Sequence, residues 1–368
     1  MSTSWRTDPE QAAPPLRTLE ECVNVEEVMA LGSARLAPEV RNYFGAAAGD
    51  GDTARDNLEA FRRRRLRPRV LTDLDGLSTA TTVLGQPVPM PVGVAPTAEH
   101  GLAHPDGELA TARGAAAAGV PYCLSGASTR PLAEVAPVCA SPRWFQLYVG
   151  RDRPASEALI ARAVGLGFEA IVLTVDVPIV GYRDAEFQSR RQFPASPHYD
   201  GHWGHLEPGY DALASGFHST WEDLAWIIAA CRGRPLVLKG VQAGADAELA
   251  VERGVAAVWV SNHGGRQLDR APATLDVLDE VVAAVDGRAE VFVDGGVRRG
   301  VDVLTALALG ARCVFVGRPV AFALAAGGSA GVTTVLSMLH RELAISMGLV
   351  GVRTIDEVGP SLVWSPPG

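Results

Sequence analysis

Eight short apolar, β-branched runs, each ending in a polar residue or glycine, recur along this chain with alanine-rich helical stretches between them, and that rhythm constrains the fold more than any other feature. The runs are Val92–Ala95, Tyr122–Leu124, Trp144–Leu147, Ala170–Val175, Leu236–Leu238, Ala257–Val260, Val291–Val293 and Cys313–Val316. Helical stretches such as Gly107–Ala118, Ala155–Leu166, Ala245–Arg253 and Arg299–Leu309 fall between them. A strand–helix repeat builds a parallel sheet, and about eight units close it into an α/β TIM (β/α)8 barrel. An open doubly wound sheet is the alternative, but no GxGxxG follows the first strand. The residues just past the runs are Pro96-Thr97-Ala98, Ser125, Tyr148, Asp176, Lys239, Ser261-Asn262-His263, Asp294-Gly295-Gly296 and Gly317-Arg318. Nearly every chemically capable group thus falls at a strand's C-terminal end, where barrels of this kind carry their sites.

The 368 residues fit one such domain, since α/β barrels of this length are common. Residues 1–17 are rich in proline and polar groups and read as a frayed tail without the apolar core of a signal peptide. A helical N-terminal extension follows from Thr18 to about Ala60, broken at residues 46–51. The run Arg62–Arg65 reads as a solvated face leading into a strand. One interval breaks the rhythm: a long insertion after strand four, with residues 184–220 as a lid that offers Tyr199, His202, Trp203 and Tyr210 over a pocket. Its histidines match no common ligand spacing and no cysteine is near, so no metal is expected. A net charge of −9 argues against a nucleic-acid partner. No run approaches 18 uninterrupted apolar residues, so no membrane span is expected. Five scattered cysteines without CxxC spacing point to reduced thiols in a cytoplasm.

The chemistry concentrates in three places. Asp294-Gly295-Gly296-Val297-Arg298-Arg299 after strand seven and Gly317-Arg318-Pro319 after strand eight occupy the recurrent phosphate position of such barrels. Glycine lets the backbone approach the phosphate, and Arg298 and Arg318 add charge-assisted hydrogen bonds. Ser261-Asn262-His263-Gly264-Gly265-Arg266-Gln267-Leu268-Asp269 after strand six joins a candidate base to an arginine suited to a carboxylate. A second acid and arginine, Asp176 and Arg183, follow strand four. Two arginines and one histidine converging on the barrel mouth fit an anionic substrate that loses a proton.

These motifs, with the upstream PTA, LTVD and KGV and the downstream DGGVRRG and GRP, are similar to those of the FMN-dependent 2-hydroxy acid oxidase family, in order from about Tyr43 to Gly351. The resemblance implies FMN as cofactor, a small 2-hydroxy acid as substrate, oxygen as acceptor and a homo-oligomer, a tetramer or octamer. Pro96, Thr97 and Ala98 would line the flavin, Ser125, Gln146 and Thr174 would hydrogen-bond its ring, and Lys239 would stand beside its N1/C2 carbonyl edge. Ser261, Asp294, Gly295, Gly296, Arg298, Gly317 and Arg318 would hold the ribityl phosphate. His263 would be the general base and Asp176 would stabilise its imidazolium. Arg183 and Arg266 would clamp the substrate carboxylate, with Tyr43 and Tyr148 assisting. Glycolate oxidase has a tryptophan in the stretch aligned with Leu124–Ser128, whereas this chain has Ala127, as mandelate dehydrogenase does. That opening favours a bulky, mandelate-like side chain. Mandelate dehydrogenase has glycine where this chain has Ala98, the residue of the oxygen-using members, and its insertion is membrane-anchoring where this one is polar. One alternative is a dehydrogenase or monooxygenase of the same family acting on lactate- or glycolate-sized acids, as when the insertion folds inward and restores a small pocket. The others are an FMN-dependent isomerase, which would need a phosphate site at the substrate end, and a pseudoenzyme, which would bind flavin without turnover.

Overall fold

A computed structural model describes residues 18–189, 196–199 and 219–364. Eight parallel strands, β1 (Val92–Val94), β2 (Tyr122–Leu124), β3 (Arg143–Leu147), β4 (Ala170–Thr174), β5 (Leu236–Val241), β6 (Ala257–Val260), β7 (Glu290–Asp294) and β8 (Cys313–Val316), pair in chain order, and β8 closes on β1. Each expected run is therefore a barrel strand. The departure is β5, which continues to Val241 and so contains Lys239 instead of ending before it. A register shift between Lys239 and Val241 accommodates Gly240 at φ +110. A Cβ there would stand 2.6 Å from the Asp176 Cβ, so glycine is what lets the end of β5 pass the β4 loop.

Strand alternation sorts the side chains into two cores. Ile171, Leu173, Val258, Val260, Val293, Val314 and Val316 face out and join the large core beneath the helices. Their neighbours Ala170, Val172, Trp144, Trp259, Phe292 and Phe315 face in, with Cys123 and Cys313, and fill the barrel. Trp144 stacks on Phe292 with centroids 5.5 Å apart, and Trp259 lies 3.9 Å from Phe315. Gly93 on β1 makes room for this layer, since a Cβ would meet the Phe315 ring at 2.3 Å. A hairpin, Thr81–Val83 paired with Gln86–Val88, closes the N-terminal end by adding Val83 and Val88 to the same cluster.

Among the described residues three helices precede the barrel: α1 (Val25–Arg35), α2 (Pro38–Gly45) and α3 (Asp52–Arg63). The expected break near residues 46–51 is present, and Ala37-Pro38 adds another, proline serving as the first helical residue. Connections after the strands carry α4 (Glu108–Ala118), α5 (Leu132–Val135), α6 (Arg153–Gly165), α7 (Asp184–Ser189), α8 (Leu224–Ala230), α9 (Gly244–Glu252), α10 (Thr274–Val285) and α11 (Gly300–Ala308). The last helix, α12 (Arg318–Val350), bends at Gly327-Gly328. By length and apolarity it could cross a membrane, but much of it is buried against the rest of the fold, including Val332, Val335, Leu336 and Leu339 in the main core. The arginine run meets acids: Arg62 pairs with Glu59, Arg63 with Asp56 and Asp276, and Arg64 with Asp276. Arg65–Leu66 then forms a short strand against Val363–Trp364. All five cysteines are free and buried.

The interior aromatic layer is the part of the fold that should tolerate truncation least. Phe292→Ala removes a ring in contact with Trp144, Trp259 and Phe315. It is expected to cost roughly 3–5 kcal/mol in urea denaturation, the range for a buried aromatic cut to alanine.

Candidate active site

Above the aromatic layer the same inward register turns polar. Ser125 follows β2, Gln146 and Thr174 lie on β3 and β4, Lys239 is on β5, Ser261 follows β6 and Asp294 ends β7, and all six are buried. A closed barrel gives such groups little water, so they bond to one another. Lys239 Nζ donates to Ser261 Oγ at 2.8 Å and lies 3.2 Å from Asp294 Oδ2. Ser261 Oγ donates to Asp294 Oδ1 at 2.8 Å. Burial alone would lower the Lys239 pKa, but Asp294 and Asp176 outweigh it, so the ammonium stays charged. Gln146 Oε1 accepts from Ser125 Oγ and from the Gly126 N–H.

The β6 loop is held in an unusual backbone form. His263, Gly264 and Gly265 all have positive φ, of 56°, 67° and 74°. Left-handed backbone is uncommon at histidine, and three contacts hold this loop. His263 N–H donates to Ser261 Oγ at 3.1 Å, and Ala48 N–H donates to the Gly265 carbonyl at 2.9 Å. Asn262 exchanges two 2.9 Å amide hydrogen bonds with Asn57 of α3. The outcome is a His263 Nδ1 that sits 3.0 Å from Asp176 Oδ1. Burial pulls the His263 pKa below its usual value despite the attraction of Asp176, with Lys239 and Arg183 acting in the same direction as burial. Burial pushes Asp176 up, yet the fields of His263 and Lys239 win and leave it below the ordinary carboxylate value. The pair is thus a neutral imidazole on an ionised carboxylate. With Nδ1–H donating to Asp176, Nε2 carries the basic lone pair.

Arg183 and Arg266 come together as expected, with an acid between them that sequence reasoning missed. Buried Glu186 accepts from Arg183 Nη1 at 3.1 and 3.0 Å and from Arg266 Nη2 at 2.6 Å. Arg266 also lies over the Tyr43 ring, its Cζ 5.4 Å from the centroid. Burial raises the Tyr43 and Tyr148 hydroxyl pKa values, so both remain protonated donors at neutral pH. Three further residues take a role only from the fold: Asn57, and two members of the motif after strand six that had none in sequence, Asp269, which accepts from the Gly51 and Thr53 N–H groups at the start of α3, and Gln267, which holds Arg183 Nη2 at 3.0 Å. Glu186 had one sequence signal, since it lies three residues from Arg183 and shares its helix face.

Arg298 and Arg318 bring further positive charge to the β7 and β8 loops. Burial and the fields of Arg266, Arg298 and Arg183 lower the Arg318 pKa to about 9. Its guanidinium donates to the Phe44, Gly264 and Ala46 carbonyls. Gly295 and Gly296 hold φ of 95° and 88°, and a Cβ on Gly296 would lie 2.1 Å from the Asn57 carbonyl oxygen. Part-exposed Pro96, Thr97 and Ala98 follow β1, with Thr97 Oγ1 3.5 Å from a Cβ built on Gly317. The loop with Ala127 receives the described part of the insertion: Ser196 Oγ donates to the Gly126 carbonyl at 2.9 Å, and Ser128 Oγ lies 3.1 Å from His198 Nε2. Tyr199 packs on the main core with its hydroxyl on the Tyr148 backbone. Of the other expected lid groups, His202, Trp203 and Tyr210 lie outside the described residues.

A sequence model of the FMN-dependent dehydrogenase family matches residues 32–365. The chain belongs to that family. Among its relatives, L-lactate oxidase of Nostoc is 43% identical over 93% of this chain and 98% of its own length. Glycolate oxidase of Spinacia oleracea is 43% identical over 94% of this chain and 98% of its own. Solved structures of mandelate oxidase superpose well: one with (S)-4-hydroxymandelic acid gives a TM-score of 0.89 at 39% identity, covering 94% of this chain and 99% of that one. Another, of a mandelate oxidase variant with (S)-mandelic acid, gives 0.87 at 38% identity over 94% of this chain and 99% of its own.

The site fits FMN on its own terms. Gln146 Nε2 is buried without a partner among the described residues, as expected of a donor that awaits a polar ligand. Arg318, crowded by other cations, is stabilised by any anion that joins it. In this FMN-dependent dehydrogenase, Gly296→Ala should therefore weaken FMN binding by about tenfold or more, because backbone strain of 1–3 kcal/mol falls on the proposed phosphate loop. Equilibrium dialysis of FMN against the apoprotein measures it.

Proposed function

We propose that this protein oxidises an (S)-2-hydroxy acid with a bulky or aromatic side chain to the 2-oxo acid, with FMN as resident oxidant and oxygen as final acceptor, giving hydrogen peroxide. The observation that carries the reading is the His263–Asp176 pair at 3.0 Å, on the same loop as Arg266 and above Lys239. Arg183 and Arg266 bind the substrate carboxylate, and the Tyr43 and Tyr148 hydroxyls donate to its oxygens. His263 Nε2 takes a proton as the Cα–OH group becomes C=O, and Asp176 stabilises the imidazolium. FMN, when bound, would accept the two electrons, and the two hydrogens lost from C–OH and Cα–H would leave with them on oxygen as hydrogen peroxide. Lys239 would keep positive charge beside the ring, Ser125, Gln146 and Thr174 would bond its polar edge, and Pro96, Thr97 and Ala98 would line it. Gly295, Gly296, Arg298, Gly317 and Arg318 would hold the ribityl phosphate. Asp294, an acceptor paired with Lys239 and Ser261, would take hydrogen bonds only from ribityl hydroxyls, a correction to the expected phosphate role of Ser261 and Asp294.

The relatives' names support oxygen as acceptor, since they are oxidases. They divide on substrate: the sequence relatives include lactate and glycolate oxidases, the structural neighbours are mandelate oxidases. Ala127 supports the larger acid only as a side chain smaller than an aromatic one; it is itself buried, and Ser196, His198 and Tyr199 of the insertion pack on its loop.

The pH dependence follows from the histidine. Its pKa lies below 6.5 and the base must be neutral, so kcat/KM should hold at neutral pH and fall about tenfold per unit below that pKa. His263→Gln should abolish this limb and slow flavin reduction by roughly 10²–10⁴-fold while retaining FMN. Stopped-flow reduction from pH 5 to 8 measures both, and unchanged reduction would reassign the base.

Substrate size is tested by kcat/KM for (S)-mandelate, lactate and glycolate, with peroxide counted per turnover. Mandelate should lead by several kcal/mol of binding, at ~0.8 kcal/mol for each buried methylene equivalent. Ala127→Trp should lose mandelate selectively, and a tenfold lead for glycolate in the unaltered enzyme would overturn the open pocket.

A further inference from the structure

We propose that Glu186 is a positioning residue for the substrate-carboxylate clamp, a carboxylate built into the protein that aims two guanidiniums at the expense of part of their charge. The proposal rests on the reading of Arg183 and Arg266 as that clamp. Glu186 follows Arg183 by three residues at the start of α7, is buried, and bonds both arginines at 2.6 to 3.1 Å.

Counting donors shows what this does. A guanidinium has five N–H groups in a rigid plane. Arg183 commits Nε to the Arg266 carbonyl, Nη1 to both Glu186 oxygens and Nη2 to Gln267. Arg266 commits Nη1 to the Tyr43 and Ala46 carbonyls and Nη2 to Glu186. One N–H on Arg183 and two on Arg266 remain without a partner among the described residues, and because each plane is pinned by its other bonds, their directions are set before substrate arrives. Charge points the same way. Burial lowers the Arg183 pKa, Arg266 lowers it further, and Glu186 opposes both. Without that acid, two cations in one buried site would repel and turn apart.

A positioning role separates from a binding role in one respect. Glu186 is negative and close to the carboxylate site, so its removal raises the local positive charge. Anion affinity should then hold or improve while the rate falls through lost alignment. A residue that merely supports the fold would lose both together.

The test uses the FMN-loaded enzyme with Glu186→Gln and Glu186→Asp, oxalate as the probe anion and (S)-mandelate as substrate. Oxalate Kd is read from the perturbed flavin spectrum, and the limiting reduction rate from anaerobic stopped flow. For Glu186→Gln we expect a rate about tenfold or more lower, since a small misplacement of a reacting group costs up to 10², with oxalate Kd unchanged or lower. Glu186→Asp should recover most of the rate. An unchanged rate overturns the proposal, as does an oxalate Kd that rises in step with the loss of rate. If the glutamine variant fails to hold FMN, the aspartate variant decides: near-normal rate and Kd support the proposal, and parallel losses overturn it. Failure of the clamp itself is visible separately, as an unaltered enzyme whose flavin spectrum ignores oxalate, and it takes this proposal with it.

Discussion

Lys239 is a cation inside a closed barrel, and the ion pair it makes with Asp294 organises what stands above it. A lone buried ammonium would shed its proton instead of remaining charged. Asp294 keeps it charged, Ser261 bridges the two, and the same Ser261 hydroxyl accepts the N–H of His263. One short chain of hydrogen bonds therefore links β5, β6 and β7 and fixes the start of the loop that bears the base. Gly240 completes the arrangement by letting the end of β5 pass Asp176. Cofactor pocket and proton acceptor are thus coupled by shared partners and not only by nearness.

Much of this was legible in the chain, for a physical reason. A barrel strand alternates inward and outward, and its C-terminal end opens on the site, so an apolar run followed by a polar residue marks both the strand and the place where chemistry can stand. That logic located Ser125, Ser261 and Asp294 at their strand ends before any coordinates. It misjudged Lys239, because a lysine after three apolar residues reads as the end of a strand; the pairing continues there through a glycine bulge. The residues it missed act through tertiary contact. Asn57 lies in an amphipathic helix some 200 positions from its partner Asn262, and no local pattern marks it. Asp269 has the appearance of a loop acid, yet it caps α3 from a distance. Glu186 was legible only as a helical neighbour of Arg183.

The positive charge of the site is distributed along its length. Arg298 and Arg318 accompany the loops after β7 and β8, Lys239 stands in the middle, and Arg183 and Arg266 lie at the mouth beside Tyr43. Each group meets a different answer to burial: backbone carbonyls for Arg318, Asp294 for Lys239, Glu186 for the mouth pair. The chain as a whole is acidic, with a net charge of −9, so this interior strip contrasts with its surface.

The segment before the barrel has a history as well as a position. Beyond their helical and turn hydrogen bonds, residues 43–57 bond to groups made much later: Ala48 to Gly265, Asn57 to Asn262, Gly51 to Asp269, and the Phe44 and Ala46 carbonyls to Arg318. During synthesis this stretch leaves the ribosome among the first parts of the chain, yet its partners follow by 200 or more residues, on the order of ten seconds or longer at ordinary elongation rates. Until then its apolar faces have no seat. Closing loops of that span carries a large entropy cost, which these contacts must offset. A nascent chain cut short before Arg318 would keep the partners of Ala48, Gly51 and Asn57 but lose the guanidinium that bonds the Phe44 and Ala46 carbonyls, and with it helix α12, on which α1 packs.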